Sequence, residues 1–128
     1  MTGEKILIVD DEEDIRNILE QAFIGAGYSV SLSASGEKAL EVLEQENIHV
    51  FFLDLKLPGM DGMELCRQIR KDRPMSIIFA VTGYASLFEL RDCREAGFDD
   101  YFIKPVNMED LYQAAHHAFE KLGRWKKR

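Results

Sequence analysis

Apolar and polar positions alternate between two periods along this chain. Lys5-Ile6-Leu7-Ile8-Val9 is a short continuous apolar run, the pattern of a strand buried on both faces. Ile15, Ile18, Leu19, Ala22 and Phe23 follow at helical spacing up to Gly25-Ala26-Gly27, where a glycine suits a helix C-cap. Residues 28–32 then alternate as a strand, and residues 36–45 read as a helix with Ala39, Leu40 and Leu43 inward. Residues 48–53 form a third strand. Asp61, with Glu64 three residues on, marks a capping box that opens a helix to about Lys71, and Pro74 lies beyond it. Residues 76–81 are a fourth strand, after which Ser86 and Glu89 mark a second capping box for a helix that closes at Gly97. Residues 100–103 are a fifth strand, and a last helix starts at Asn107 and ends near Gly123.

Strand–helix pairs joined by short connections predict an α/β fold, a parallel sheet with helices on both faces. In such sheets ligands bind beyond the carboxyl ends of the strands, where strand order reverses. Side chains with chemistry are therefore expected at the strand ends, and the sequence has them there. Asp10-Asp11 end the first strand, Asp54 the third, Thr82 the fourth and Lys104-Pro105 the fifth. Asp54 is the sharpest case, because it follows Val50-Phe51-Phe52-Leu53 directly. Core packing gives no reason for an acid there, since a charge beside apolar surface costs free energy unless a metal or fixed cation pairs with it.

Taken singly, these residues have plain readings. Asp10 or Asp11 serves equally well as a helix N-cap, Thr82 as a strand-end hydroxyl bonded to backbone, and Lys104 as a surface lysine. Together they converge on one rim. Two unit charges about 4 Å apart repel by about 4 kcal/mol at an effective dielectric near 20, so clustered acids need a cation or a raised pKa. Hard oxygen donors without His or thiolate suit Mg²⁺, which often binds beside a phosphate. Glu12, Glu13 and Asp14 read as favourable charges at a helix start.

The 128 residues suit one domain, taken as residues 1–123 with a basic tail or linker start at 124–128. Hydrophobic content of 46% with 30% charged residues is ordinary globular composition. The net charge is −7, of which the last five residues contribute +4, leaving the first 123 residues at −11. So acidic a body argues against direct nucleic-acid binding, which needs cations against phosphates. No apolar stretch approaches the roughly 18 residues that cross a bilayer, and no signal-peptide pattern is present, so a cytoplasmic location with no membrane partner is expected. Cys66 and Cys93 show no CxxC spacing and read as ordinary small packing residues.

Four pieces stand in order: Ile6 to Asp11, the run Leu53 to Gly62, Val81-Thr82-Gly83, and Ala96 to Pro105. With them the chain closely resembles, over residues 4–122, the response-regulator receiver domain of bacterial two-component signalling. The resemblance implies a flavodoxin-like doubly wound fold, a five-stranded parallel sheet of order 2-1-3-4-5. It implies that Asp54 is the phosphoacceptor, taking phosphoryl from a phosphohistidine on a sensor histidine kinase or histidine phosphotransfer protein. Mg²⁺ would be ligated directly by Asp11, mainly through water by Asp10, and by Asp54 and the Lys56 main-chain carbonyl. Lys104 would pair with the phosphoryl group and Thr82 would hydrogen-bond to it. Tyr101 matches an aromatic switch position. As Thr82 moves toward the phosphate this ring turns inward, which repacks the helix 4–strand 5–helix 5 face that a downstream target or output domain reads.

Further positions follow from the same resemblance. The Lys104–Pro105 bond is expected to be cis. Gly59 and Gly62 match loop positions with special backbone angles. Gly83 should leave room for the phosphoryl group, while Lys56 and Tyr84 flank the path of the hydrolytic water and should slow self-dephosphorylation. Winged-helix DNA-binding relatives usually carry a helix-five arginine that pairs across a dimer, and Leu111 to Ala115 has none. That disfavours this dimer mode and leaves a monomer or a phosphorylation-dependent dimer. His116 and His117 read as solvent-facing or core-edge residues.

Other functions fit less well. A haloacid-dehalogenase-type phosphatase needs a second acid two residues after its nucleophile, where this chain has Lys56. A flavodoxin needs a hydroxyl- and glycine-rich phosphate loop after the first strand, where Asp10 to Asp14 would repel phosphate. The alternative within the fold is an interaction module independent of phosphorylation. The favoured expectation is a switch that catalyses only its own phosphorylation and slow dephosphorylation.

Overall fold

The computed structural model describes residues 4–83 and 86–126, with the side chains of all of these but Leu87 and Phe88. The elements alternate as β1 (Lys5–Val9), α1 (Glu13–Gly25), β2 (Ser29–Ser33), α2 (Gly36–Gln45), β3 (Val50–Leu53), α3 (Gly62–Asp72), β4 (Ile77–Thr82), α4 (Leu87–Ala96), β5 (Asp100–Ile103) and α5 (Met108–Lys126). All strand pairs are parallel, and the sheet order is β2-β1-β3-β4-β5, the doubly wound order expected.

The continuous apolar runs of β1, β3 and β4 are explained by what lies on each face. Successive strand residues point to opposite sides. Leu7, Val9, Phe51, Leu53, Ile78 and Ala80 pack in a core with Ala39 and Leu43 of α2, Leu65 and Ile69 of α3, and Ala96 of α4. Ile6, Ile8, Val50, Phe52, Phe79 and Val81 turn the other way, against Leu19 and Phe23 of α1 and Leu111 and Ala115 of α5. Aromatic rings meet across this second core, with Phe52 centred 5.1 Å from Phe23, tilted, and 4.9 Å from Phe79, stacked. Each such side chain fully buried contributes about 1.5–3 kcal/mol, which fixes the sheet as a rigid base for its edges.

Helix ends follow the sequence closely. The Asp61 carboxylate accepts from the Glu64 amide at 2.9 Å, and the Ser86 hydroxyl accepts from the Glu89 amide at 3.1 Å. The carboxylates of Glu64 and Glu89 turn elsewhere, to Arg67 and Gln68 and toward Lys56 respectively, so each capping box is made by its cap residue alone. Two further features of the helices differ from expectation. The α5 helix passes through Gly123 to Lys126, because one glycine costs only about 1 kcal/mol amid good helix formers. Ile18 is 59% exposed, since Leu19 and Phe23, four residues apart, form the buried seam of α1 and Ile18 lies beside it.

Both cysteines are buried and free. The Cys66 thiol donates to the Ala96 carbonyl at 3.5 Å, and burial pushes its pKa up to about 12, which suits packing rather than reactivity. His116 and His117 are both exposed, their rings 5.9 Å apart.

Candidate functional site

The register of the sheet aligns its strand ends. Val9 pairs with Leu53 and Thr82 with Ile103, so the residues that follow β1, β3 and β5 leave the sheet at one edge. Strand order reverses there: the chain runs from β1 to β2 on one side and resumes at β3 on the other. The Asp54 amide donates to the Val9 carbonyl at 2.9 Å and the Lys104 amide to the Thr82 carbonyl at 2.7 Å, continuing the ladder past the strands.

Asp10, Asp54 and Thr82 are all buried, at 2%, 5% and 0% exposure, whereas Asp11 is exposed. Lys104 joins the two buried acids. Its ammonium lies 2.8 Å from Asp10 Oδ2 and 3.3 Å from Asp54 Oδ2, with Glu12 at 3.9 Å. The other oxygen of each acid is held by backbone. Asp54 Oδ1 accepts from the Lys56 amide at 3.1 Å, and Asp10 Oδ1 accepts from the Glu12 amide at 2.9 Å. The Lys104–Pro105 bond is cis.

Burial pushes the Asp54 carboxyl above its usual range. The Lys56 amide and Lys104 pull the other way while Asp10 adds repulsion, and the upward effects prevail. Burial also works against the Lys104 ammonium, but the Asp10 hydrogen bond and the Asp54 charge outweigh it, and its pKa is raised. Lys104 is therefore a fixed cation, and Asp54 is an acid whose charge is only partly compensated.

Asp10, Asp11 and Glu12 each place an oxygen within 4.8 Å of the others. This hard-oxygen set fits Mg²⁺ by donor chemistry. Glu12 belongs to the cluster as well as to the α1 start, which the helix-charge reading missed. The signal lay in its adjacency to Asp10-Asp11, and as N-cap it makes no side-chain cap bond. Arg16, one turn into α1, carries no sequence signal of its part here; its Nη1 donates to the Asp10 carbonyl at 2.7 Å and pins that strand end.

The loop after Asp54 is shaped by two glycines for different reasons. Gly59 has φ +72°, the left-handed angle expected of it. Gly62 has no such angle. A Cβ there would strike the Asp54 carbonyl oxygen and sit 2.8 Å from Leu55 Cα, so glycine lets α3 start against the backbone of the acid itself. A Cβ at Gly83 would meet nothing within 4 Å among the described residues.

Lys56 reaches out of the loop, and its ammonium lies 3.6 Å from Glu89 Oε1 on α4. Both residues line a cavity of about 450 Å³, together with Asp11, Pro58, Asp61 and Met63 among others. Tyr101 is 40% exposed on β5. Tyr84 lies outside the described residues. The structure thus brings Asp10, Asp11, Asp54, Lys56, Thr82 and Lys104 to one edge and leaves Tyr101 with its ring outward.

Similarity to known proteins agrees with this geometry. Residues 6–116 match the family model described as the response regulator receiver domain. The chain is 33% identical over 114 residues to sporulation initiation phosphotransferase F of Bacillus subtilis, covering 89% of this chain and 92% of that protein. It is 38% identical over 113 residues to a cyclic di-GMP phosphodiesterase of Thermotoga maritima, covering 88% of this chain and 30% of that one. The chain spans less than half the length of this and several further curated relatives. Among solved structures, a CheY-like response regulator receiver domain protein from Methanospirillum hungatei superposes with a TM-score of 0.87 at 38% identity, over 97% of each chain. The chain belongs to the response regulator receiver domain family.

Proposed function

We propose that the chain is a phosphoacceptor switch in which Asp54 takes a phosphoryl group from a phosphohistidine. The observation that carries this reading is Asp54 itself, a carboxylate 5% exposed with an amide on one oxygen and an ammonium on the other, at an edge open to a donor. An Asp54 oxygen attacks phosphorus, the P–N bond breaks, and its electron pair returns to the imidazole of the donor. Asp10, Asp11, Asp54 and the Lys56 main-chain carbonyl would hold Mg²⁺, with Glu12 beside them. When bound, the ion offsets repulsion between these carboxylates and the phosphoryl oxygens. Lys104 supplies a second fixed positive charge to the same oxygens, and the Thr82 hydroxyl donates to one of them.

Phosphorylation would then be read on the α4–β5–α5 face. Thr82 is fully buried and Tyr101 exposed, so a shift of Thr82 toward the phosphate leaves space into which the Tyr101 ring turns. Gly83 leaves room for the phosphoryl group, and Lys56 and Tyr84 screen it from water. The donor would be a sensor histidine kinase or a histidine phosphotransfer protein, and the reader a downstream target or output domain. We take residues 1–123 as the receiver; of the basic residues 124–128 assigned to a tail or linker start, those to Lys126 continue α5. Among the described residues no helix is long and apolar enough to cross a membrane, and we place the chain in the cytoplasm. It catalyses only its own phosphorylation and slow dephosphorylation, and acts as a monomer or a phosphorylation-dependent dimer.

The test is transfer from protein. A purified, phosphorylated histidine kinase or histidine phosphotransfer domain should pass its label to the wild-type chain and not to Asp54→Asn. Equal labelling of the two would contradict the assignment of Asp54.

A further inference from the structure

Glu89 stands in an unusual place for a helix-start acid. It lies in the first turn of α4, where its amide is already satisfied by the Ser86 hydroxyl and where an acid is ordinarily left in solvent. Instead the side chain is only 22% exposed. Its Oε1 faces the Lys56 ammonium at 3.6 Å, while Oε2 is buried with no hydrogen-bond partner among the described residues. A carboxylate oxygen held in this way is costly, and helix capping does not explain it. The cation recorded beside it among the described residues is Lys56.

Lys56 is anchored at its other end to the reacting group, since its amide donates to Asp54 Oδ1. Its main chain is therefore tethered to Asp54 while its ammonium is drawn to Glu89 on α4. A phosphoryl group on Asp54 adds a charge of about −1.5 to −2 and three strong acceptor oxygens within reach of the same side chain. Glu89 and the phosphoryl group would then compete for one ammonium.

We propose that Glu89 is a positioning residue that sets the lifetime of the aspartyl phosphate by holding Lys56 away from it. This rests on the reading of Asp54 as phosphoacceptor and of Lys56 as its screen, and adds the element that controls the screen. Glu89→Gln keeps the shape and removes the charge. It releases Lys56 to the phosphoryl oxygens, where the longer stay of the side chain excludes water and slows hydrolysis. The same competition links phosphorylation to the first turn of α4, because each phosphoryl group that captures Lys56 deprives Glu89 of its partner.

The test uses wild type, Glu89→Gln, Lys56→Met, Lys56→Arg and the pairings of Glu89→Gln with each lysine variant. All are phosphorylated with acetyl phosphate and Mg²⁺, and decay of the phosphoprotein is followed by intact mass. Glu89→Gln should lengthen the half-life about fivefold, the equivalent of about 1 kcal/mol. It should do nothing in the Lys56→Met background and retain its effect in the Lys56→Arg background. The same change with and without the Lys56 ammonium, or no change in either, would overturn the link. Phosphoryl uptake by wild type reports on the phosphoacceptor reading independently of how the lifetimes compare. Failure of every folded protein to gain phosphoryl, from acetyl phosphate and from a phosphohistidine protein alike, would instead sink the Asp54 reading and this inference with it.

Discussion

The Lys104 ammonium lies 3.3 Å from Asp54 Oδ2 although the two residues are 50 apart in the chain. They belong to strands that do not touch. β4 separates β3 from β5, and the lysine spans its end, where Thr82 is buried. The pairing is set by the sheet order and register rather than by local sequence. It gives Asp54 a cation that is fixed before any phosphoryl group arrives, and fixed charges cost no reorganisation when the reaction occurs.

Removing that cation should be felt in stability. Lys104→Met leaves Asp10 and Asp54 with mutual repulsion and less compensation, and should lower the unfolding free energy by roughly 1–3 kcal/mol. Urea unfolding near neutral pH checks this, and saturating Mg²⁺ should restore part of the loss. Because the folded Lys104 pKa is raised, its contribution is fully present below the ordinary lysine value of 10.5 and is lost as pH rises through the folded value.

Asp54 behaves in the opposite sense. Its folded pKa is raised by burial, so the acid favours the fold below its ordinary value of 3.8 and this contribution is lost as pH rises through the folded pKa. At neutral pH the charged form is a burden. Asp54→Asn should therefore raise the thermal midpoint near pH 7, and the gain should shrink toward zero as pH falls below the ordinary carboxyl range. Thermal scans of both proteins across pH decide it; an advantage for Asn that grows on acidification would contradict the burial argument.

Gly62 should tolerate no side chain. A Cβ there meets the Asp54 carbonyl, so Gly62→Ala forces the α3 start away from β3 and should cost about 1–3 kcal/mol by overpacking. The same shift should displace the Asp54 backbone and slow phosphorylation by acetyl phosphate. Gly83→Ala is the control for stability, because its Cβ finds open space.

Much of this was legible in the residues. The runs at Lys5–Val9, Val50–Leu53 and Ile77–Thr82 are apolar because each faces a helix layer on both sides, and that pattern survives translation into sequence without ambiguity. Asp10, Asp54, Thr82 and Lys104 could be found because strand ends are where such sheets do chemistry. What escaped notice depends on side-chain direction. Glu12 and Glu89 carry the signature of helix starts, and only the fold reveals that one joins the acid cluster and the other turns to Lys56. Arg16 gives no sign in sequence that it reaches back to the Asp10 carbonyl. Ile18 kept its helical spacing yet faces out, because a period of 3.6 fixes a stripe but not its edge.

Intact mass after incubation with acetyl phosphate, with and without Mg²⁺ and beside Asp54→Asn, puts the phosphoacceptor reading to its hardest trial. Wild type should gain one phosphoryl group only when Mg²⁺ is present, and Asp54→Asn should gain none. An equal gain in the mutant, or a folded wild type that accepts phosphoryl neither from acetyl phosphate nor from a phosphohistidine protein, would contradict it and leave an interaction module that signals without phosphate.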